Sequence, residues 1–470
     1  MIRYRFTAPL VLALALAALP AASAAGPREE IVRTFDKTLP LSAGQRLSID
    51  HKNGDIRIRT HKAGEVRISA KIHGSSSDEA EIRKFLDAVA IAIETSASGV
   101  SVRTVYPEKS WRFSGGGHVS FCVDYEITMP ESSPLEVRSR FGDVSVEGLK
   151  AAADVRNANG KVSLRDGRGA QRLENAFGPI DVVGVSGDVT MTNANGPVSA
   201  ADIDGALEVR NRFGPVVAAR VGKAVRVVNG NGEVQVTDCA GAATVENSFG
   251  GVQIRNVKGA ATVENANGRV LASGITGAVS VRSSFGAVEL SDLGGLVEVR
   301  SANATVKVRE VRGAATLKTS FGMVDCARVD GDLAVENANG AVRASDVHGA
   351  ASVRTSFGSV SLDGVGGRVG VDNQNGSIDV RGLANRKGKD CQPVELKTSF
   401  SSIRIALPEE AGWTVDARTS FGRIRADVAI TVSGSLSTEA VAGKIGDGAC
   451  PLTLSNSNGS IEILKEEKRK

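Results

Sequence analysis

The stretch NSFGGVQIRNVKGAATVENANGRVLASGITGAVSVRSSFG (Asn247–Gly286) contains two copies of one 18-residue sentence. Phe249-Gly250 opens it, Asn267-Gly268 answers 18 residues later, and Phe285-Gly286 closes the 36-residue cycle. The same spacing runs outward in both directions. Phe141, Phe177, Phe213, Phe249, Phe285, Phe321 and Phe357 each precede a glycine at intervals of 36. Asn159, Asn195, Asn231, Asn267, Asn339 and Asn375 precede the intervening glycines, and only Asn303-Ala304 departs. A period this strict, without insertion from Phe141 to Gly376, is the signature of a solenoid.

The columns of the repeat assign its strands. Two residues after each glycine stands Val or Ile in every copy, as in Val252, Val270 and Val288. Thirteen after stand Val245, Val263, Val281 and their equivalents. Apolar and polar residues alternate between these points, the period-two pattern of strands with one buried face. β-Branched side chains suit such a surface. A second glycine nine residues after the first (Gly241, Gly259, Gly277) marks another corner. Each coil therefore holds two or three short strands. The fold class is all-β: a single-stranded β-solenoid with 18-residue rungs, fourteen of which span roughly 65 Å at about 4.8 Å each. Right-handed winding is expected, as for other parallel crossovers. The apolar spacings do not follow the strict six of left-handed hexapeptide helices.

Two further columns bear on function. Three residues before the glycine runs a polar file: Asn157, Asn175, Asn193, Asn211, Asn229, Asn247 and Asn265, continued by Ser and Thr. By parity it points inward, and stacked amides can bond along the axis. The alternative is a row of ligand-binding amides. The Phe column also has two readings. As packing, a ring on every second rung fills space above and below the smaller Asn. As a surface stripe, it is open to a partner. Phe lacks the polar handle that Tyr and Trp bring to recognition, so packing is the expectation here, and Phe249→Ala would then leave a cavity.

Before the repeat, Met1 to Ala24 reads as a secretory signal, with Arg3 and Arg5, an apolar run from Ala8 to Leu19, and Ala22-Ser23-Ala24. No later apolar run is long enough to span a bilayer. The mature chain is expected to be exported, to the periplasm or the cell surface. It would hold 55 basic residues (57 less the two arginines) against 53 acidic, a balance that argues against nucleic acid as partner. Residues 25–135 read as an N-terminal cap with first rungs. Within it Ser76 and Glu79 resemble a capping box, opening a short helix from about Asp78 to Asp87 whose Ile82, Phe85 and Leu86 share one face. That helix would cover the open end of the stack. Residues 136–383 form the regular solenoid, 384–464 irregular rungs and a C-terminal cap, and 465–470 a charged tail.

The least repeat-like stretch is the loop 106–118, which carries Tyr106, Lys109, Trp111, Arg112, Phe113 and His118 around three glycines. These residue types recur at binding hot spots, and the loop is the candidate interaction site; otherwise it is a hairpin covering the first rungs. Of five cysteines, Cys239 and Cys326 occupy apolar columns, Cys391 and Cys450 are a possible disulfide, and Cys122 has no evident mate. The five histidines do not cluster at ligand spacing. Catalytic, metal and cofactor-binding residues are therefore assigned to none.

The stretch VDYEITMPESSPLEVRSRFGDVSVEGL (Val123–Leu149), followed by repeated N-x-N-G-x-V units, resembles the bacterial "putative adhesin" family of envelope β-helix proteins. The resemblance covers roughly Leu47 to Leu464. It implies an exported β-solenoid without a catalytic residue to transfer; some relatives are connected with envelope stress signalling. The expectation is a non-enzymatic scaffold or adhesin-like binder offering a repetitive surface to an envelope protein or glycan. The alternative is an envelope-stress sensor or polysaccharide-acting enzyme that uses the 106–118 loop.

Overall fold

The computed structural model describes residues 30–107, 119–384, 391–409 and 411–466. The chain opens with β1 (Ile31–Pro40), β2 (Arg46–Asp50), β3 (Ile56–His61) and β4 (Glu65–Ser75). Helix α1 (Glu79–Ala88), β5 (Ala90–Ser96), β6 (Gly99–Val105) and β7 (Ser120–Pro130) follow. Regular coils begin with β8 (Leu135–Phe141) and β9 (Val144–Glu147), then β10 (Ala153–Asn159) and β11 (Val162–Arg168). They continue pairwise to β34 (Val369–Asn375) and β35 (Ile378–Leu383), fourteen coils in all. The last elements are β36 (Val394–Phe400), β37 (Ile403–Leu407), β38 (Trp413–Phe421), β39 (Ile424–Ala426), β40 (Thr431–Leu436), β41 (Ala440–Ile445), β42 (Cys450–Asn458) and β43 (Ile461–Lys465).

Each regular coil contributes two strands, one to each of two facing parallel sheets. The front sheet takes the strand before the corner glycine and the back sheet the strand after it. Like residues stack on like: Val227, Val245, Val263 and Val281 pair in register down the front sheet. Val234, Val252 and Val270 do so down the back. Both valine files are buried between the sheets, and each valine contributes on the order of 1.5 kcal/mol by leaving water.

Two devices turn the chain. At the corner glycine, Gly250 has φ 120° and lies against the previous coil so closely that a Cβ would sit 2.3 Å from the Gly232 carbonyl oxygen. At the sixth residue after each corner residue (glycine in thirteen coils, Ala304 in the other), all fourteen coils adopt left-handed backbone, whether the residue is Gly184, Asp202, Arg220 or Asn256. This kink moves the inward position from the sixth residue to the seventh, which explains why the apolar spacing of the repeat is uneven. Asp and Asn tolerate that conformation best after glycine.

The ends depart from chain order. In the front sheet β2 lies between β6 and β8, and in the back sheet β3 lies between β7 and β9. At the far end the coil β42–β43 enters between β36–β37 and β38–β39. The Phe/Asn alternation survives this exchange, since Asn375, Phe400, Asn458 and Phe421 are successive neighbours in space. Antiparallel strands finish each end: β5 on β6, β4 and β1 beyond β7, and β41 and β40 beyond β38.

Helix α1 links β4 of the back sheet to β5 of the front sheet and buries Ile82, Phe85 and Leu86 in the common core. Its N-cap is Asp78, whose carboxylate accepts from the Glu81 backbone N–H at 2.9 Å, rather than Ser76. Asp78 sits where its side chain reaches the third amide of the helix, whereas Ser76 bonds the Asp78 amide instead.

The two corner devices predict different costs. Gly250→Ala drives a methyl into a backbone oxygen and is expected to lower stability by more than about 3 kcal/mol. At Gly184, φ 72°, the nearest atom to an added Cβ is the Asp166 carboxylate at 3.0 Å, the end of a side chain. Gly184→Ala should cost about 1 kcal/mol. Denaturant unfolding of the two variants measures the contrast.

Candidate functional site

The front sheet presents a groove along the whole stack. Its outward floor is the column two residues before the corner glycine, small in most coils: Ala158, Ala176 and Ala194, then Ser248, Ala266 and Ser284. Arg140 and Arg212 interrupt it. One wall is the column two residues earlier, with Glu246, Glu264, Arg282, Arg300, Lys318 and Glu336. The groove has two stretches of about 830 and 1240 Å³ that meet at Val228. Charges in the wall pair across coils, Arg282 with Glu264 at 2.9 Å and Lys318 with Glu336 at 3.0 Å. Such exposed pairs contribute little to stability; they leave a rim of mixed sign.

Beside this floor stands the Phe column, and it is exposed. Phe177, Phe249, Phe321 and Phe357 present 53–56% of their surface, and Phe421 76%. The packing expectation is therefore wrong. The outward position follows from the corner. Alternation holds through the buried Asn three residues before the glycine, then fails, because the chain has begun its corner and the next two residues both face outward, as in β16 (Leu207–Phe213). The Arg212 guanidinium covers part of the Phe213 ring at 5.5 Å.

The Asn column is buried as expected, but its bonds run mainly to backbone. Asn247 Nδ2 donates to the carbonyl of its own corner, Gly250, at 3.1 Å and to that of the preceding coil, Gly232, at 3.2 Å. Asn193, Asn265 and Asn337 repeat both bonds; Asn157, Asn175 and Asn373 make the one to the preceding coil, and Asn211 the one to its own corner. Direct amide-to-amide contact occurs where Asn229 Nδ2 reaches Asn247 Oδ1 at 3.2 Å. These amides belong to the corner rather than to a ligand row. Asn247→Leu removes one of two amide donors at each of the Gly232 and Gly250 carbonyls, which keep Asn229 and Asn265, and takes away the acceptor of Asn229; it is expected to cost about 1–3 kcal/mol in thermal unfolding.

Of the candidate loop, Tyr106 is described, while Lys109, Trp111, Arg112, Phe113 and His118 lie outside the described residues. Tyr106 packs on Phe121 and donates to the Asn53 carbonyl at 3.3 Å, and burial raises its phenol above the usual range. It serves the cap. Cys391 and Cys450 do come together, beside Trp413 and Val394 in one small pocket, as free thiols. Burial first, and the Cys391 thiol second, push Cys450 up to about 12. Cys239 and Cys326 are buried in the core.

One histidine stands among other metal-ligating groups. His73 lies with Cys122 and Asp124, their ligand atoms within 4.8 Å of one another. Burial, followed by the nearby Asp124, Glu30 and Asp55 carboxylates, pushes the Cys122 thiol up to about 11. The signal was hidden because the residues are 49 apart in sequence and meet only through the β4–β7 register.

A family model described as Toastrack DUF4097 matches residues 44–294, more than half of the chain. The chain belongs to the Toastrack DUF4097 family. Among solved structures, the Toastrack chain is similar to a putative cell adhesion protein from Clostridium sporogenes, at 10% identity and TM-score 0.16, covering 92% of this chain and 100% of that one. A putative adhesin from Bacteroides fragilis aligns at 13% identity and TM-score 0.18, over 57% and 97% of the two chains. One from Parabacteroides merdae does so at 14% identity and TM-score 0.20, over 57% and 96%. No curated protein matches the Toastrack sequence. Among the described residues, no helix is long and apolar enough to cross a membrane.

His51 lies at the N-terminal end of the groove, buried, with Nδ1 2.9 Å from the Thr104 hydroxyl and its ring edge-on to Tyr125. Burial lowers its pKa from 6.5 to about 4, against smaller opposing effects of the Asn53 and Val123 backbone and of Asp124 and Asp50. A depressed value means that the neutral ring is preferred in the folded state. Stability is full above about pH 6.5 and falls as pH drops toward 4, where the folded ring protonates too. The expected loss is on the order of 3 kcal/mol. Denaturation midpoints between pH 7 and 4 should show that slope in the native chain and lack it in His51→Gln.

Proposed function

We propose that this Toastrack chain is a non-enzymatic, exported envelope protein whose front face holds an extended envelope glycan. The exposed Phe column carries the reading. Rings on alternate coils recur at about 9.6 Å along the stack, next to a floor that is small in most coils. An apolar side chain repeated on the surface at fixed spacing, coil after coil, marks a place where something apolar and periodic is set down.

The spacing selects among extended polymers. A β-strand advances about 3.3 Å per residue, so three residues separate successive rings and present alternate faces to them. A polyproline II segment returns to the same face every three residues, about 9.3 Å, yet proline has no N–H to offer the Glu246, Glu264 and Glu336 carboxylates of the wall. A pyranose chain offers an apolar ring face for stacking and hydroxyls that both donate and accept, matching the mixed Arg, Glu and Lys wall. The reading of Met1 to Ala24 as a secretory signal supports export to where such polymers occur.

Phe213→Ala, Phe249→Ala and Phe285→Ala combined should leave thermal unfolding within about 1 kcal/mol of the native chain, as surface changes do. Co-sedimentation with insoluble envelope glycan should fall at least tenfold. Retained binding by the triple variant, capture of proline-rich peptides instead, or hydrolytic release of sugar would each overturn the reading.

A further inference from the structure

At the N-terminal end, β4 and β7 pair antiparallel on the outer side of the back sheet, with His73 directly opposite Cys122 and Lys71 opposite Asp124. Residues 122 and 124 of β7 share one face, so the imidazole meets both. His73 Nε2 lies 2.9 Å from Cys122 Sγ and 3.0 Å from Asp124 Oδ2. Behind the ring, Nδ1 lies 2.5 Å from Glu30 Oε1, just before β1. The His73 side chain is 15% exposed, and the two carboxylates 31% and 50%.

We propose that His73 Nε2, Cys122 Sγ and Asp124 Oδ2 form a binding site for a divalent transition-metal cation of the zinc class, with Glu30 orienting the imidazole from behind.

The electron-pair count makes the argument. A carboxylate against Nδ1 holds the ring proton there and leaves the Nε2 lone pair facing outward. That lone pair points at a carboxylate oxygen, which only accepts, and at a sulfur. Three donors of electron pairs thus converge with a single thiol proton among them. A cation at about 2.0–2.3 Å from each would satisfy all three. Nitrogen, sulfur and oxygen together suit zinc-class ions, while calcium and magnesium take oxygen alone. On binding, the S–H bond breaks, the S–metal bond forms, and one proton leaves to solvent. Three ligands leave a fourth position to water, because Asp124 and Cys122 reach the surface. The ligands come from two strands and the orienting carboxylate from the segment leading into a third, so the ion would tie the start of β1 to the β4–β7 pair beneath it. The competing arrangement is a doubly protonated His73 bridging Glu30 and Asp124 beside an unreacted thiol, and it binds no metal.

The full chain titrated with zinc chloride against a chromophoric chelator should bind one equivalent in the micromolar range or tighter. Cobalt chloride should produce a thiolate-to-cobalt charge-transfer band. Cys122→Ser should abolish the band, and His73→Gln should weaken zinc binding at least a hundredfold. Glu30→Gln should keep the band and weaken binding about ten- to a hundredfold, as loss of an orienting partner does. All three positions face outward, and circular dichroism of the metal-free variants should match the native chain. Absence of stoichiometric binding, or binding and a cobalt band that persist in Cys122→Ser and vanish in Cys391→Ser, would overturn the site.

Discussion

Everything in this molecule rests on how closely one coil can lie on the next at its corners. The parallel ladders require identical positions to stack, and the corners must approach as tightly as the strands do. Glycine permits that approach because it has no Cβ to place against the carbonyl of the coil before. The buried Asn three residues earlier then donates to that carbonyl, to that of its own corner, or to both. One residue type removes a clash and the other satisfies what the removal leaves buried. The valine files, the groove and the Phe line are all set by this fixed translation.

The coil length, the inward valines, the corner glycines and the short helix over Ile82, Phe85 and Leu86 are legible in sequence, because each is periodic or local. The exposure of the Phe column is not legible from side-chain type, because alternation ends just past Asn247, where the corner turns the next two residues outward. The left-handed sixth residue did leave a trace, since eleven of its fourteen positions are Gly, Asp or Asn, with Arg220, Glu310 and Arg328 the exceptions. His73 and Cys122 could not be joined from sequence, because their meeting depends on a register between strands on either side of a helix and a loop.

One hidden feature was written in the residues after all. Phe400 and Phe421 follow each other in sequence without an intervening Asn-Gly coil, against the alternation kept everywhere before them. Asn458 supplies the missing member by entering between them. Had alternation been treated as a rule of neighbours in space, the exchange of the final coils could have been inferred. At the other end, the bridge between Asn53 and Phe141 obeys the same rule.

That exchange carries a kinetic consequence. A solenoid laid down in order of synthesis would place β38–β39 directly on β36–β37 as soon as both were available. The ladder there is built for β42–β43, which leave the ribosome after both of those coils. The early partner must stay off that ladder, where β38 has β41 on its other side, or be displaced, and its premature docking would set Phe421 against Phe400 on adjacent coils. The C-terminal end of the stack is thus closed by a late insertion rather than by growth. The final strand, once seated, has a neighbour on each side, so removing it means breaking two ladders together.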